Sequence, residues 1–303
     1  MTSDTDLSAT IAAKRYAAND LLVSPVQWLN VGDAELAYRV IGSGPPLLML
    51  HGYPLNGLTF RKLIPALAPH FTCYVLDLQG AGQSRWTKQT DFKFGAQAER
   101  LKTFVDRLEL TAYSTLSHDT GGTIARRLAV IDPKRTHKLV VIGTEIPNHR
   151  PAWIRMFQFR SYLPGANGNF KTSFQSRKFR RSSMGFGGVF ADLDYIDGDF
   201  FELFVQPMLD SQHERQGQLY RLRGIDWTIV DSLAVDHAKI TAPLLFIWGE
   251  DDPVFPLAEA RNMIGQFTVP PQFHVIPNGK TFVHEEKPEA VAEAALTFLR
   301  SSD

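Results

Sequence analysis

The stretch Leu116-Ser117-His118-Asp119-Thr120-Gly121-Gly122 decides the interpretation of this chain. It follows a β-prone run at 113–116 and opens a helix-prone run at 123–129. Ser117 and Gly121 stand two residues before and after Asp119, which is the spacing of the strand-turn-helix bend called a nucleophile elbow. The bend strains its central residue, so both neighbours must be small. The sequence therefore predicts Asp119 at the apex of such a bend.

The residue at the apex sets the chemistry that the bend can perform. Ser117 fits this position poorly, because Asp119 would then stand where the pattern needs a glycine. A carboxylate at the apex favours attack on carbon, with an ester intermediate, over the acyl transfer typical of serine. The structural alternative is a turn aspartate that bonds only to its own backbone. We therefore take Asp119 as the candidate nucleophile.

Composition and charge exclude several classes of protein. The chain has 303 residues, 44% of them hydrophobic and 21% charged, which is typical of a soluble globular protein with a sizeable core. The formal net charge of zero gives no support for a nucleic acid or membrane partner. Cys73 is the sole cysteine and suits a reducing compartment. Neither a signal peptide nor a spanning apolar run is recognisable, so we expect a cytoplasmic location.

Strand and helix signals alternate along most of the chain, which predicts an α/β protein with a mostly parallel sheet. A hairpin is expected at 26–41, and residues 5–20 are expected to form a short helix or a loose extension. Further strands are predicted at 46–50, 71–76, 113–116, 138–143, 244–248 and 272–276. Helices are predicted near 59–68, 92–109, 122–131, 257–266 and 286–300.

The alternation stops after Pro147, where an aromatic, arginine-rich segment without clear strands begins. We expect this segment to be an insertion that covers the active site. The predicted division is a core formed by residues 1–147 and 237–303 with a helical cap at 148–236.

Four motifs in order resemble those of the α/β-hydrolase fold superfamily. They are His51-Gly52-Tyr53-Pro54, the Asp77-to-Ser84 segment, the elbow, and Gly249-Glu250-Asp251-Asp252-Pro253. The apex aspartate after a histidine is similar to the branch of haloalkane and haloacetate dehalogenases and epoxide hydrolases. The resemblance covers nearly all of the chain beyond residue 25. It implies a mostly parallel eight-stranded sheet with helices on both faces and a helical cap inserted after strand 6.

The resemblance also assigns roles around Asp119. The backbone N–H groups of Tyr53 and Thr120 are expected to form the oxyanion hole. Asp252, three residues after the glycine that ends a predicted strand, is the preferred acid to orient a histidine. Glu145 is the second candidate for that acid, although its register is shifted by two residues.

The general base departs from the family pattern. In the resembled families a histidine precedes an aromatic residue, seven positions ahead of a proline. Here that position is Thr281, followed by Phe282, with Pro288 seven residues on. His284 is the nearest histidine and is our predicted base, whereas His274 is expected to be a sheet residue. The departure matters because threonine cannot accept a proton near neutral pH.

Other positions narrow the substrate class: they disfavour halide chemistry and leave epoxide or ester chemistry open. Haloalkane dehalogenases hold halide with an asparagine and a tryptophan, where this chain has Tyr53 and Thr120. Fluoroacetate-type enzymes use two arginines, where this chain has Thr120 and Thr123. Epoxide hydrolases use cap tyrosines, for which the insertion offers Tyr162, Tyr195 and Tyr220. The basic run at 177–181 is expected to be a solvated helix face. The predicted oxyanion and substrate contacts are Tyr53, Thr120, His118, Trp153 and Tyr162.

Three hypotheses follow from the sequence. The leading one is a cofactor-independent hydrolase that acts on a small to medium apolar or aromatic substrate (an epoxide, ester or C–X bond) through Asp119, Asp252 and His284. The second is a non-hydrolytic enzyme, such as a lyase, isomerase or carbon–carbon bond-forming enzyme, that uses Asp119 as an acid or base. The third is a non-catalytic ligand-binding relative. All three predict a small-molecule partner and neither cofactor nor metal, and they leave a homodimer open.

Overall fold

The computed structural model describes residues 20–301, so the expectation for residues 5–20 lies, except for its last residue, outside the described part. The strands are β1 Gln27–Asn30, β2 Ala34–Ile41, β3 Pro46–Leu50, β4 Thr72–Asp77, β5 Arg85–Trp86, β6 Tyr113–His118, β7 Thr136–Ile142, β8 Leu244–Gly249 and β9 Gln272–Ile276. The α-helices before β8 are α1 Asp20–Val23, α2 Ile64–Leu67, α3 Phe94–Arg107, α4 Thr120–Ile131, α5 Ala152–Ser161, α6 Ala166–Gln175, α7 Arg177–Arg180, α8 Gln206–Asp210, α9 Gln212–Arg223 and α10 Trp227–Asp236. Those after β8 are α11 Leu257–Asn262, α12 Val283–Glu286 and α13 Pro288–Arg300.

Eight strands form one sheet in the order β1-β2-β4-β3-β6-β7-β8-β9, and the two-residue β5 pairs with β2. The hairpin β1–β2 and the pair β2–β4 are antiparallel, and every pair from β4 to β9 is parallel. The predicted fold class is confirmed. The additional strand β5 was not predicted, because two residues are too short to show a periodic pattern.

Both faces of the sheet are covered, which explains the continuous apolar run of β3. Leu47 and Met49 pack on one face in a cluster that includes Phe298 of α13. Leu48 and Leu50 pack on the other face in a cluster that includes Phe104 of α3. A strand buried on both sides has no polar alternation. Full burial of a leucine side chain stabilises the folded state by roughly 1.5–3 kcal/mol.

Helices fill the segment between β7 and β8, and the described residues of this segment contain no strand. Phe190 stacks on Phe282 of the last loop with ring centroids 4.9 Å apart, so aromatic packing attaches the segment to the sheet layer. The side chains of Arg177, Arg180 and Arg181 pair with Asp197, which gives this basic run a structural role. The division at residues 148–236 remains a prediction.

Two predicted helices are interrupted. The helix expected at 286–300 begins at Pro288, because Lys287 (φ −131, ψ 53) lies outside the helical region, as residues before proline tend to do. The helix expected at 59–68 is replaced by a 3-10 turn at Gly57–Phe60 and the short α2.

Candidate active site

Asp119 occupies the tight bend between β6 and α4. Its backbone has φ 51 and ψ −127, a region that non-glycine residues rarely adopt and that costs roughly 1–3 kcal/mol. Hydrogen bonds fix the bend on both sides. The Asp119 N–H donates to Gly143 O at 2.7 Å, and Thr144 Oγ1 donates to Asp119 O at 2.9 Å. The strained apex is therefore held by the loop that follows β7.

The Asp119 carboxylate lies against the loop that follows β3. Its Oδ2 accepts a hydrogen bond from the Tyr53 N–H at 2.7 Å, and no described residue donates to Oδ1. The Tyr53–Pro54 peptide bond is cis. A Cβ at Gly52 would lie 2.4 Å from the Asp119 Cβ, so only glycine lets the loop approach this closely. One carboxylate oxygen is thus held by a backbone donor while the other is left available.

Arg221 of α9 holds the same loop from the opposite side. This buried side chain donates to Gly52 O at 2.8 Å and to Leu55 O at 2.9 Å. Its guanidinium also lies 5.7 Å from the centre of the Tyr53 ring. Burial lowers the pKa of Arg221 to about 10, so the side chain remains charged at neutral pH. The segment between β7 and β8 therefore contributes to the position of the Tyr53 N–H.

Replacing Arg221 with methionine is expected to lower the rate of reaction at Asp119 by about 10- to 100-fold, because the loop that carries the Tyr53 N–H loses its support. R223M is the matched control on the same helix, since Arg223 contacts Ser161 and not this loop. Its rate should stay within about twofold of the original. Equal rates for R221M and the original protein would contradict the positioning role.

Asp119 opens into a mainly apolar cavity of about 480 Å³. Tyr53, Thr120, Glu145 and Thr281 lie in its wall with Asp119. Most of the remaining lining is apolar and aromatic, including Trp153, Phe157, Phe174, Phe186, Leu219 and Trp227. This volume and lining suit a bulky apolar or aromatic small molecule.

Thr281 takes the cavity position where the family pattern places a histidine. Its hydroxyl donates to Asp252 Oδ1 at 2.7 Å, and that oxygen also accepts from the N–H groups of Val254 and Phe255. The buried Asp252 Oδ2 has no partner in the described part of the chain. Burial raises the pKa of Asp252 to about 6. Asp252 therefore orients Thr281 and is not itself part of the cavity wall.

His284 lies outside this cavity wall. Thr59 Oγ1 donates to Glu285 at 2.7 Å, so it accepts from His284 Nε2, also at 2.7 Å. No hydrogen bond joins His284 to Asp119 or Asp252 within residues 20–301, and its Nδ1 is unpartnered there. Burial lowers the pKa of His284 well below its usual value, so the ring is neutral. The expected Asp252–His284 relay is not assembled.

His118 is fully buried and packs against His284. Its Nε2 donates to Thr281 O at 3.1 Å, and its ring centre lies 4.2 Å from that of His284. Burial also lowers the pKa of His118. The two neutral rings form a buried pair behind the elbow. His118 thus supports the backbone of Thr281, and it does not line the cavity.

Glu145 lies beside Asp119 in the cavity wall. Its Oε2 accepts from Thr123 Oγ1 at 2.6 Å and lies 3.2 Å from Thr144 Oγ1. Arg126 donates to the Glu145 carbonyl at 2.7 Å and so holds the loop. Burial first, and then the charge of Asp119, raise the pKa of Glu145 to about 7. The side chain can therefore take up or release a proton near neutral pH.

E145Q is expected to gain stability over the original protein as the pH rises. The pKa of Glu145 is about 7 in the folded protein and 4.5 ordinarily, so its proton stabilises the folded state. This stabilisation is fully present below pH 4.5 and is lost as the pH rises through 7. Between pH 5 and pH 8 the difference should grow by about 2–3 kcal/mol. Denaturant unfolding at both pH values measures it, with E99Q as an exposed control. A difference that is independent of pH would contradict the raised pKa.

The other predicted contacts are divided between the cavity and the surface. Thr120 and Trp153 line the cavity, whereas Tyr162 is 62% exposed and lies outside the lining. Tyr195 donates to Glu285, and Tyr220 packs edge-on against Trp86. None of the three tyrosines that the sequence offered reaches the cavity wall.

Two features concern metals and membranes. The described residues contain no group of three or more His, Cys, Asp or Glu side chains placed to hold a metal ion. No helix within residues 20–301 combines the length and apolarity needed to cross a bilayer.

Sequence reasoning missed the contributions of Arg126, Arg221 and Thr144. Arg126 lies in a helix-prone run, and Arg221 lies in the arginine-rich segment after Pro147. Both are buried and donate to backbone carbonyls of loops around the elbow. An arginine on the inward face of an amphipathic helix was the available signal for Arg126.

The fold and the site are those of an enzyme with a hydrolase fold. Comparison with known proteins identifies the family. The family model described as alpha/beta hydrolase fold matches residues 45–288. The chain therefore belongs to the α/β hydrolase fold family, and the expectation of an enzyme of this fold is confirmed.

Several relatives have names that describe an activity. The chain is 24% identical to epoxide hydrolase 4 of Mus musculus, covering 93% of this chain and 81% of that protein. It is also 24% identical to haloalkane dehalogenase 2 of Mycobacterium tuberculosis, covering 89% of this chain and 93% of that protein. A shorter match of 121 residues is 36% identical to the magnesium-chelatase 30 kDa subunit of Rhodobacter capsulatus, covering 39% of this chain and 40% of that one.

A solved structure of the epoxide hydrolase CorEH without ligand superposes with a TM-score of 0.76 at 23% identity. It covers 91% of this chain and 98% of that chain. At this identity the likeness shows the shared fold.

Proposed function

We propose that this protein is a cofactor-independent hydrolase that uses Asp119 to attack an electrophilic carbon in a bulky apolar or aromatic small molecule. The substrate class is an epoxide, an ester or a compound with a carbon–halogen bond. The observation that carries the proposal is the Asp119 carboxylate at a strained apex, facing an apolar cavity with one oxygen held by the Tyr53 N–H. The named activities of the epoxide hydrolase and dehalogenase relatives support the same chemistry.

With an epoxide or a compound that has a carbon–halogen bond, the proposed first step forms an ester. Asp119 Oδ1, which accepts no hydrogen bond from the described residues, supplies the electron pair for a new C–O bond. The bond from that carbon to the leaving group breaks, and the leaving group departs with its electron pair. A ring oxygen released from an epoxide then takes a proton from water. The mainly apolar lining of the cavity reduces the solvation of the carboxylate, which strengthens its attack.

Isotope labelling tests the ester. Single-turnover reaction with a panel of aromatic epoxides and benzyl halides, run in water enriched in oxygen-18, should give product whose new oxygen is unlabelled. The label should appear instead in the Asp119 carboxylate, detected by peptide mass spectrometry. Label in the product from the first turnover would overturn the proposal, because water would then have attacked the substrate directly.

A second candidate function has a specific observation in its favour. Thr281, which cannot act as a base, replaces histidine in the cavity wall and is bonded to Asp252. This arrangement would suit a non-hydrolytic reaction in which Asp119 moves a proton without forming an ester. Product that contains no oxygen from either Asp119 or water would favour this candidate.

A further inference from the structure

We propose that Glu145 is the general base that activates water against the Asp119 ester, a role for which no histidine among residues 20–301 lines the cavity. The inference rests on the proposed function, since it concerns the breakdown of that ester. It assigns a catalytic role to a residue that sequence considered only as an orienting acid.

The first argument is the fixed placement of Glu145 relative to the nucleophile. Both side chains lie in the wall of one cavity. Thr144 Oγ1 contacts both residues, with Asp119 O at 2.9 Å and Glu145 Oε2 at 3.2 Å. Thr123 Oγ1 adds a 2.6 Å hydrogen bond to the same Oε2. The other carboxylate oxygen, Oε1, receives neither hydrogen bond and is left to accept one from a water molecule.

The second argument is that the other acid–base groups are unsuitable. Asp252 and His284 are not in the cavity wall, and Asp252 Oδ1 accepts a hydrogen bond from Thr281, which is in the wall. Burial raises the pKa of Tyr53, so this phenol stays protonated. The cavity wall also contains Arg160, whose guanidinium offers hydrogen-bond donors but no acceptor for a proton. Glu145 is therefore the carboxylate in the wall that is free to act on the ester.

The third argument concerns the charge state of Glu145 during the reaction. Burial and the Asp119 charge raise the pKa of its carboxyl, whereas hydrogen bonds from Thr123 and from the Glu145 backbone, and then the Arg126 guanidinium, lower it. Ester formation neutralises Asp119 and so removes one of the two raising effects. The pKa of Glu145 then falls below about 7, and the carboxylate form is favoured when water must be activated.

The proposed step balances as follows. Glu145 takes a proton from water as the water oxygen forms a bond to the Asp119 Cγ. The Tyr53 N–H stabilises the negative charge that develops on the carbonyl oxygen. The C–O bond to the alcohol then breaks, and Glu145 returns its proton to the departing alkoxide. One ester and one water become one carboxylic acid and one alcohol, and the acid ionises to restore Asp119.

Rapid-quench mass spectrometry of the Asp119 peptide tests the role, with styrene oxide as the first probe of the panel. In E145Q the ester should form and then decay about 10²- to 10⁴-fold more slowly than in the original protein. E145D should retain part of the rate, and formate should accelerate ester decay in E145A. E214Q is the matched control, because burial raises the pKa of Glu214 as well but this residue lies outside the cavity wall.

The outcomes separate the inference from the function on which it rests. An ester that decays at the original rate in E145Q overturns the inference and leaves the proposed function standing. The absence of an ester in every variant and with every probe overturns the proposed function itself. If E145Q does not fold, the pH dependence of ester decay in the original protein tests the inference instead. Its ester decay should accelerate with rising pH to a plateau, with an apparent pKa below about 7, and a flat profile overturns the inference.

Discussion

Replacing Asp119 with asparagine is expected to lower turnover of any carbon electrophile by about 10⁴-fold or more. The amide oxygen is a far weaker nucleophile than a carboxylate, and it cannot form the ester on which the proposed reaction depends. Asparagine has nearly the same shape, and its oxygen can still accept from the Tyr53 N–H. The loss should therefore appear in the chemical step and not in folding.

The measurement is single-turnover kinetics with mass analysis of the peptide that contains residue 119. D251N is the matched control, because Asp251 is an exposed carboxylate in the neighbouring loop. It should retain the original rate within about twofold. A D119N protein that turns over at the original rate would exclude nucleophilic catalysis by Asp119.

The largest effect on folding is expected at Gly121. A Cβ there would lie 2.2 Å from the backbone oxygen of Leu50 and 2.8 Å from that of His51. These atoms belong to β3 and its following loop, so the clash cannot be relieved by rotating a side chain. G121A should lower the free energy of unfolding by about 3 kcal/mol and displace the elbow, because the central strand and α4 are forced apart.

Denaturant titration of G121A and G95A provides the comparison. Gly95 also lies in a helix, but a Cβ at that position would meet nothing within 4 Å. G95A should be stabilised by roughly 0.5–1 kcal/mol, since alanine favours the helix. A similar change in both variants would show that the contact with Leu50 does not constrain the elbow.

Short-range patterns predicted much of this molecule. The apolar run of β3 and the small residues around Asp119 reflect local requirements, namely burial on both faces and a bend that excludes side chains. Such requirements leave a periodic or spaced signal in the sequence. The strand at β6, the bend and α4 were therefore recognisable without coordinates.

The surroundings of the carboxylate were less predictable. Arg221 meets Gly52 across 169 positions of sequence, and Thr59 meets His284 across 225. Contacts of this kind depend on how loops from separate strands converge, and no local spacing encodes them. The position of Glu145 was hard to predict for the same reason: its register is shifted by two residues from the family pattern, and yet it lines the cavity.

The hydrogen bonds from Arg221 to the Gly52 and Leu55 carbonyls limit the routes by which a substrate can reach Asp119. Pulling α9 away would strand a buried cation and two acceptors, at a cost of about 3–5 kcal/mol. Entry past the lining residues Trp153, Leu163 and Met184, which are between 38% and 44% exposed, breaks no contact of this kind. A substrate that enters past these exposed apolar side chains therefore leaves the support of the Tyr53 amide undisturbed.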